Sequence, residues 1–265
     1  MITIQVIDKN NQILKTKTAA QRVFLDYLAP YQEGDKVQIE LNQSNRYLVA
    51  QLDEALLPSL IYVPNKTWTY SIPIDEKARE AYSSKVFAGT RHYLTIREAT
   101  VDEQANYQNL ALNAHDQKQE SGAYPHATAN VETRNDSTFF ARNAIDGVFA
   151  NEDHGPYPYQ SWGINQQQDA KIRIDFGRLV KLNKLALTLR ADFPHDSYWT
   201  QVTVIFSDGS QEKISLAKSK DPQFHSIEEV KHVSWLELQQ LIKADDPSPF
   251  PALTQLEAYG YNLDS

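Results

Sequence analysis

Within ten residues, the stretch Arg190-Ala191-Asp192-Phe193-Pro194-His195-Asp196-Ser197-Tyr198-Trp199 places a guanidinium, two carboxylates, an imidazole and three aromatic rings around a proline-fixed turn. A packed core does not require that density of polar groups, so Arg190, Asp192 and His195 are candidate ligand contacts. Trp199 is expected instead to open the next strand and to bury. The plain alternative for Arg190 and Asp192 is a salt bridge across the loop. A second stretch, NEDHGPYPYQSWG over 151–163, adds His154 and Tyr157 as candidates. There, Pro158 holds Tyr157 and Tyr159 in an extended segment that puts both rings on one side. A third, running from Tyr124 to Arg134, contributes His126 and Arg134, with Glu132 between them.

Two kinds of chemistry fit these residues. Flat rings stack on the apolar C–H face of a sugar ring, while guanidinium, carboxylate and imidazole groups hydrogen-bond to adjacent hydroxyls. Alternatively, His126, His154 and His195 with Asp153, Asp192 and Asp196 could form an imidazole–carboxylate metal set or a general acid/base pair. Against catalysis, the chain has no His-Glu-x-x-His, no Gly-x-Ser-x-Gly and no phosphate-binding or nucleotide-binding glycine loop, and only 9 glycines from which to build one. A carbohydrate-active hydrolase or lyase therefore stands as the alternative to non-catalytic binding. A protein–protein assembly module is the third reading, since aromatic residues also favour such interfaces.

The frame that must hold these loops is globular. With 265 residues, 41% hydrophobic and 23% charged, the chain can form one large or two modest domains. Cysteine is absent, which excludes disulfides and thiolate chemistry, so any metal must be held by oxygen or imidazole. The formal net charge is −8, of which −7 falls beyond residue 104, and no basic block occurs. Such a field repels nucleic acid and anionic membranes, leaving neutral ligands, cations and protein surfaces. No apolar run is long enough to span a bilayer, so no membrane insertion is expected. The opening MITIQVIDKN lacks a secretory pattern, which points to a cytoplasmic location with export by another route left open.

Period-two alternation predicts strands at ITIQVID, KVQIEL, RYLVAQL, SLIYV, TWTYSIPI and HYLTIREAT, and hence an N-terminal antiparallel β-sandwich over 1–104. The exception is a helix over Asp75–Tyr82. Residues 101–111 read as a linker or short helix. Beyond them come strands at 171–176, 184–190, 201–206 with an Asp208-Gly209 turn, and 253–261; 233–241 fits either period, with strand preferred. The connections 113–144, 146–170, 191–200 and 243–252 are long enough to be functional.

Five stretches resemble a known family: Asn109-Leu110-Ala111-Leu112, Ala141-Arg142-Asn143-Ala144-Ile145-Asp146-Gly147, Ile172 to Gly177, Phe206 to Ser210, and Leu256-Glu257-Ala258-Tyr259-Gly260. In order and spacing they are similar to the discoidin-type, galactose-binding-like jelly roll of coagulation factor type C domains and many bacterial carbohydrate-binding modules. The resemblance covers about residues 105–262. It implies an all-β chain whose second domain, 105–265, is a jelly roll with loops gathered at one end, and a packed Trp162. It also implies a structural calcium ion held around Asp146 with Glu257 and Asn143. The alternative is that Asp146 caps a tight turn and Glu257 is a solvated strand residue. The loops at 151–163 and 190–199 are longer and more aromatic than the family's, so its known sites do not transfer onto them. The expectation is a lectin-like module binding a neutral or mixed-charge oligosaccharide weakly, with a homo-oligomer supplying avidity.

Overall fold

The computed structural model describes residues 1–194 and 197–263, so His195 and Asp196 of the Arg190 loop lie outside the described residues. The chain is almost entirely antiparallel β. Eight strands come first: β1 (Ile2–Ile7), β2 (Ile13–Ala19), β3 (Arg22–Tyr27), β4 (Lys36–Leu41), β5 (Arg46–Gln51), β6 (Ser59–Val63), β7 (Thr67–Ser71) and β8 (His92–Glu98). They form two sheets, ordered β2-β1-β4-β7 and β3-β8-β5-β6. Alternation decides which faces meet. Ile4 lies opposite Ile39, and Ile39 opposite Trp68. Leu25 lies opposite Leu94 in the other sheet. These side chains share one buried cluster, each fully buried apolar side chain contributing about 1.5–3 kcal/mol. The sandwich read from the alternation is present. β2 and β3 lie outside the strands read from the alternation: the Lys-Thr-Lys-Thr run of β2 belongs to a solvated edge strand with no apolar face, whereas β3 does bury an alternating row, Val23, Leu25 and Tyr27, with the exposed Phe24 between them.

The helix expected over Asp75–Tyr82 shortens to one turn, α1 (Glu76–Arg79), with the Asp75 carboxylate accepting from Ala78 N at 3.1 Å. Residues 101–105 form α2 (Val101–Ala105), fixed by a capping box between Thr100 and Glu103.

The second set of strands is β9 (Gln108–Asn109), β10 (His126–Ala129), β11 (Trp162–Gly163), β12 (Ile172–Leu189), β13 (Trp199–Phe206), β14 (Gln211–Ser215), β15 (Gln223–Lys243) and β16 (Ala252–Asn262). The main path runs β11-β16-β12-β15-β13-β14, with β10 on β12 and β9 on β16. The strands read at 171–176 and 184–190 are two ends of β12, which bends where its register breaks between Asp175 and Val180 and again between Leu182 and Lys184. Gly177, at φ +66, packs under the Tyr124 ring at the first bend. Bent strands carry this sheet around one core in jelly-roll fashion. Trp162 and Trp199 are both fully buried there with ring centroids 6.2 Å apart, so both are packing residues.

Between β9 and β10 the chain returns to the first sandwich. Leu52 N donates to His115 Nε2 at 3.1 Å, Thr69 N donates to Ser121 O at 3.1 Å, and Tyr62 and Tyr124 exchange two backbone hydrogen bonds of 2.8 Å. Ala123 is buried in the first core. No helix among the described residues is long and apolar enough to cross a membrane.

Candidate functional site

The end of β12 fixes the site. Arg190 N donates to Ala252 O at 3.0 Å, and the Arg190 guanidinium donates to the Phe250 carbonyl, so the residue ties the start of β16 to its own loop. Asn151 draws in a second loop: its side-chain amide donates to Leu189 O at 2.7 Å and Lys220 O at 2.9 Å, and its carbonyl accepts from Ala191 N at 2.7 Å. That anchorage sets His154 beside Asp192, with Nδ1 2.6 Å from Oδ2. A third loop arrives through the turn at 133–135, where Arg134 adopts φ +54 and Thr133 Oγ1 accepts from Asn165 N at 2.9 Å. Gly163 lets the second and third approach, because a Cβ there would stand 2.7 Å from Thr133 Oγ1.

The result is a cavity of about 420 Å³ whose lining includes Arg134, His154 and Arg190. Its apolar wall is Phe139, Ile164, Phe250 and Pro251, and Asn165 and Gln166 add amide groups. Phe250 is 47% exposed, so its ring is open to a ligand. Arg134 is largely solvent-facing, with its guanidinium carbon 5.6 Å from the Phe139 ring. The arrangement pairs an open aromatic face with fork-shaped and amide donors, which is what a polyhydroxylated ring requires. Asp153, His154 and Asp192 also bring one oxygen or nitrogen ligand atom each within 4.8 Å of one another, the one such group among the described residues. Asp192 pairs with His154, so the salt bridge weighed between Arg190 and Asp192 gives way to that contact.

Two sequence candidates are placed elsewhere. His126, on β10, is buried and 2.7 Å from Asp116 Oδ1, while Asp116 Oδ2 accepts from Ala127 N. Burial works to lower the His126 pKa, but the Asp116 hydrogen bond and charge outweigh it and the net shift is upward. That imidazole serves an internal pair and does not reach the cavity lining. Tyr157 lines separate cavities with Tyr82, and its N–H donates to Glu80 O at 2.7 Å. His195 lies outside the described residues.

The Asp146 carboxylate expected to hold calcium is already engaged on both oxygens. Asp146 Oδ1 accepts from Val148 N at 2.9 Å and Gln255 Nε2 at 2.8 Å, and Oδ2 accepts from Gln160 Nε2 at 2.7 Å. Arg142 stands 4.0 Å away, a cation where calcium would need anions. Burial raises the Asp146 pKa, with Arg142 opposing. Glu257 accepts from Tyr259 Oη at 2.6 Å, and the Asn143 amide donates to Ser137 O and Ser161 O. The turn-capping reading of Asp146 is the one the hydrogen bonds describe, and Glu257 is buried in a strand.

The sequence did not single out Phe250, Asn165 or Gln166. Phe250 had a signal: an aromatic ring between Pro249 and Pro251, in a connection already marked as long.

No family model matches the chain, and no curated protein matches it. Solved structures similar to it include chitosan-binding module 1 of a chitosanase/glucanase from Paenibacillus sp. IK-5, at 18% identity and a TM-score of 0.40, covering 57% of this chain and 98% of that one. Another is the family 32 module of NanJ from C. perfringens in complex with galactose, at 15% identity and 0.39, covering 50% and 91%. A fucose-binding module from Streptococcus pneumoniae is similar at 16% identity and 0.42, covering 58% and 98%. These are modules of the type that the sequence motifs resemble.

Proposed function

We propose that the protein binds glycans without transforming them, through the cavity between the 133–135, 151–163 and 190–194 loops. One observation carries the reading: three loops distant in sequence bring Arg134, His154 and Arg190 to one cavity beside the open ring of Phe250. The mixed lining favours a neutral or mixed-charge oligosaccharide, with hydroxyls on the polar groups and a C–H face on Phe250. A shallow site of this kind binds one sugar weakly, and self-association would supply avidity.

The test is saturation-transfer NMR and calorimetry against a panel of mono- and oligosaccharides, using wild type, His154→Ala and Tyr157→Ala. At least one sugar binds wild type. Loss of one hydrogen bond weakens His154→Ala by about tenfold. Tyr157→Ala, at separate cavities, keeps wild-type affinity. A panel with no binder, or an unweakened His154→Ala, would refute the reading.

A further inference from the structure

Arg142 is the most deeply buried cation outside the glycan cavity, at 4% exposure, in the turn Ala141–Ile145 between the two sets of sheets. Its Nε has no hydrogen-bond partner. The nearest carboxylate oxygen, of Asp146, is 4.0 Å from Nη2, beyond hydrogen-bond reach, and the Tyr82 ring centroid is 4.3 Å from the guanidinium carbon. A guanidinium carries five N–H donors, and burying them without acceptors is costly. Arg142 borders two cavities, of about 310 and 340 Å³. Asp146 lines the larger, where its carboxylate opposes an anion. The smaller has no Asp146; there Arg142 is joined by Lys118 and Gln117, with an apolar wall that includes Ile72, Pro73 and Phe140. The two acidic residues on that lining, Glu33 and Asp75, are exposed, and Asp75 is engaged as the cap of α1.

We infer that the smaller cavity is a second ligand site, which takes a singly charged carboxylate carrying an apolar or ring-shaped body, with its carboxylate on the Arg142 fork. Planar, bidentate geometry matches guanidinium to carboxylate. The proximity of Asp146 penalises a dianion, so phosphate is disfavoured. Lys118 adds a second cation, although its ammonium is shared with Glu132 at 3.0 Å and lies 4.3 Å from the Phe140 ring. The cavity has the volume of a small-molecule site. This inference does not rest on glycan binding at the other cavity.

The experiment follows the Nε–H resonance of Arg142 in ¹⁵N-labelled full-length protein, at constant ionic strength. The probes are cyclohexanecarboxylate, its neutral amide cyclohexanecarboxamide, and inorganic phosphate. The carboxylate gives a saturable shift, and the amide and phosphate bind at least tenfold more weakly. Arg142→Lys keeps the charge but loses the fork, and weakens the carboxylate at least tenfold as read by calorimetry. Should that variant fail to fold, Lys118→Met, at a half-buried position, weakens it several-fold. Arg134→Ala leaves the response unchanged, which separates this site from the glycan cavity. No saturable shift with the carboxylate, or phosphate binding as tightly, overturns the inference.

Discussion

His115 should make the protein progressively less stable below pH 6.5. Its ring is fully buried, with Nε2 accepting from Leu52 N at 3.1 Å and the Trp68 and Tyr70 rings edge-on at 6.1 and 6.4 Å. Burial first, and the Arg142 charge second, push its pKa down to about 3. In the unfolded chain the imidazole titrates near 6.5. Below that pH the unfolded state takes up a proton that the folded state refuses, so stability falls as pH falls, by about 1.4 kcal/mol per unit. The slope is half developed at pH 6.5 and full below about 5.5, so between pH 7.5 and 4.5 the loss is about 2–3 kcal/mol, and it levels off only near the folded pKa. The assay is urea denaturation followed by tryptophan fluorescence at pH 7.5, 6.5, 5.5 and 4.5, on wild type and His115→Gln. Glutamine can still accept from Leu52 N but does not titrate, so carboxylate titrations shared by both proteins cancel in the difference. Wild type should lose roughly 2–3 kcal/mol relative to the variant between pH 7.5 and 4.5. A difference that stays constant across the series refutes the reasoning.

Three further outcomes follow. Phe250→Ala should weaken sugar binding by about eightfold, since a sugar face covering on the order of 50 Å² of ring contributes about 1.2 kcal/mol; Phe224→Ala, 62% exposed on β15, should leave affinity unchanged by calorimetry. Gly260→Ala should cost more than about 4 kcal/mol or prevent folding, because a Cβ there overlaps the Lys181 carbonyl of the neighbouring strand; the readout is the melting temperature. Glu103 binds Arg97 through two hydrogen bonds of 2.7 and 2.6 Å and caps α2, and these contacts, the Arg97 hydrogen bonds foremost, hold its pKa down to about 2. That contribution is present above about pH 4.5 and is lost as pH falls toward 2; because the pair is about a third exposed, Glu103→Gln should cost only about 1 kcal/mol at pH 7, measured by urea denaturation.

The sheets were legible where one face of each strand is buried, as in Ile2, Ile4 and Val6, because period-two alternation records that burial directly. It failed for β2, an edge strand with no apolar face, and for the first half of β15, where Phe224, Ser226 and Glu228 carry no inward row. Chemistry at the site was legible in the same uneven way. Arg134, His154 and Arg190 stand out by residue type and loop length, and the fold brings them to the lining of one cavity. His126 could not be sorted from them, because a lone histidine ten residues from an aspartate reads alike whether it faces solvent or the buried Asp116 carboxylate. Asp146 misled for a related reason. An Asp-Gly pair marks a turn and a possible cation ligand equally well, and only the amides of Gln160 and Gln255, far away in sequence, decide which.

The return of residues 113–125 to the first sandwich limits how these sheets can be inherited. A recombination point at the α2 linker would hand on a jelly roll still carrying Ala123 and Tyr124, now stripped of the strands that cover them, and would leave behind a sandwich with Trp68 lacking its Ser121 partner. Each half would exchange a buried seam for an exposed, sticky one. Shuffling as a free cassette is therefore disfavoured, and the two sets of strands should travel through evolution together, so that the proposed glycan cavity and the Arg142 pocket diversify by loop substitution within a fixed pair.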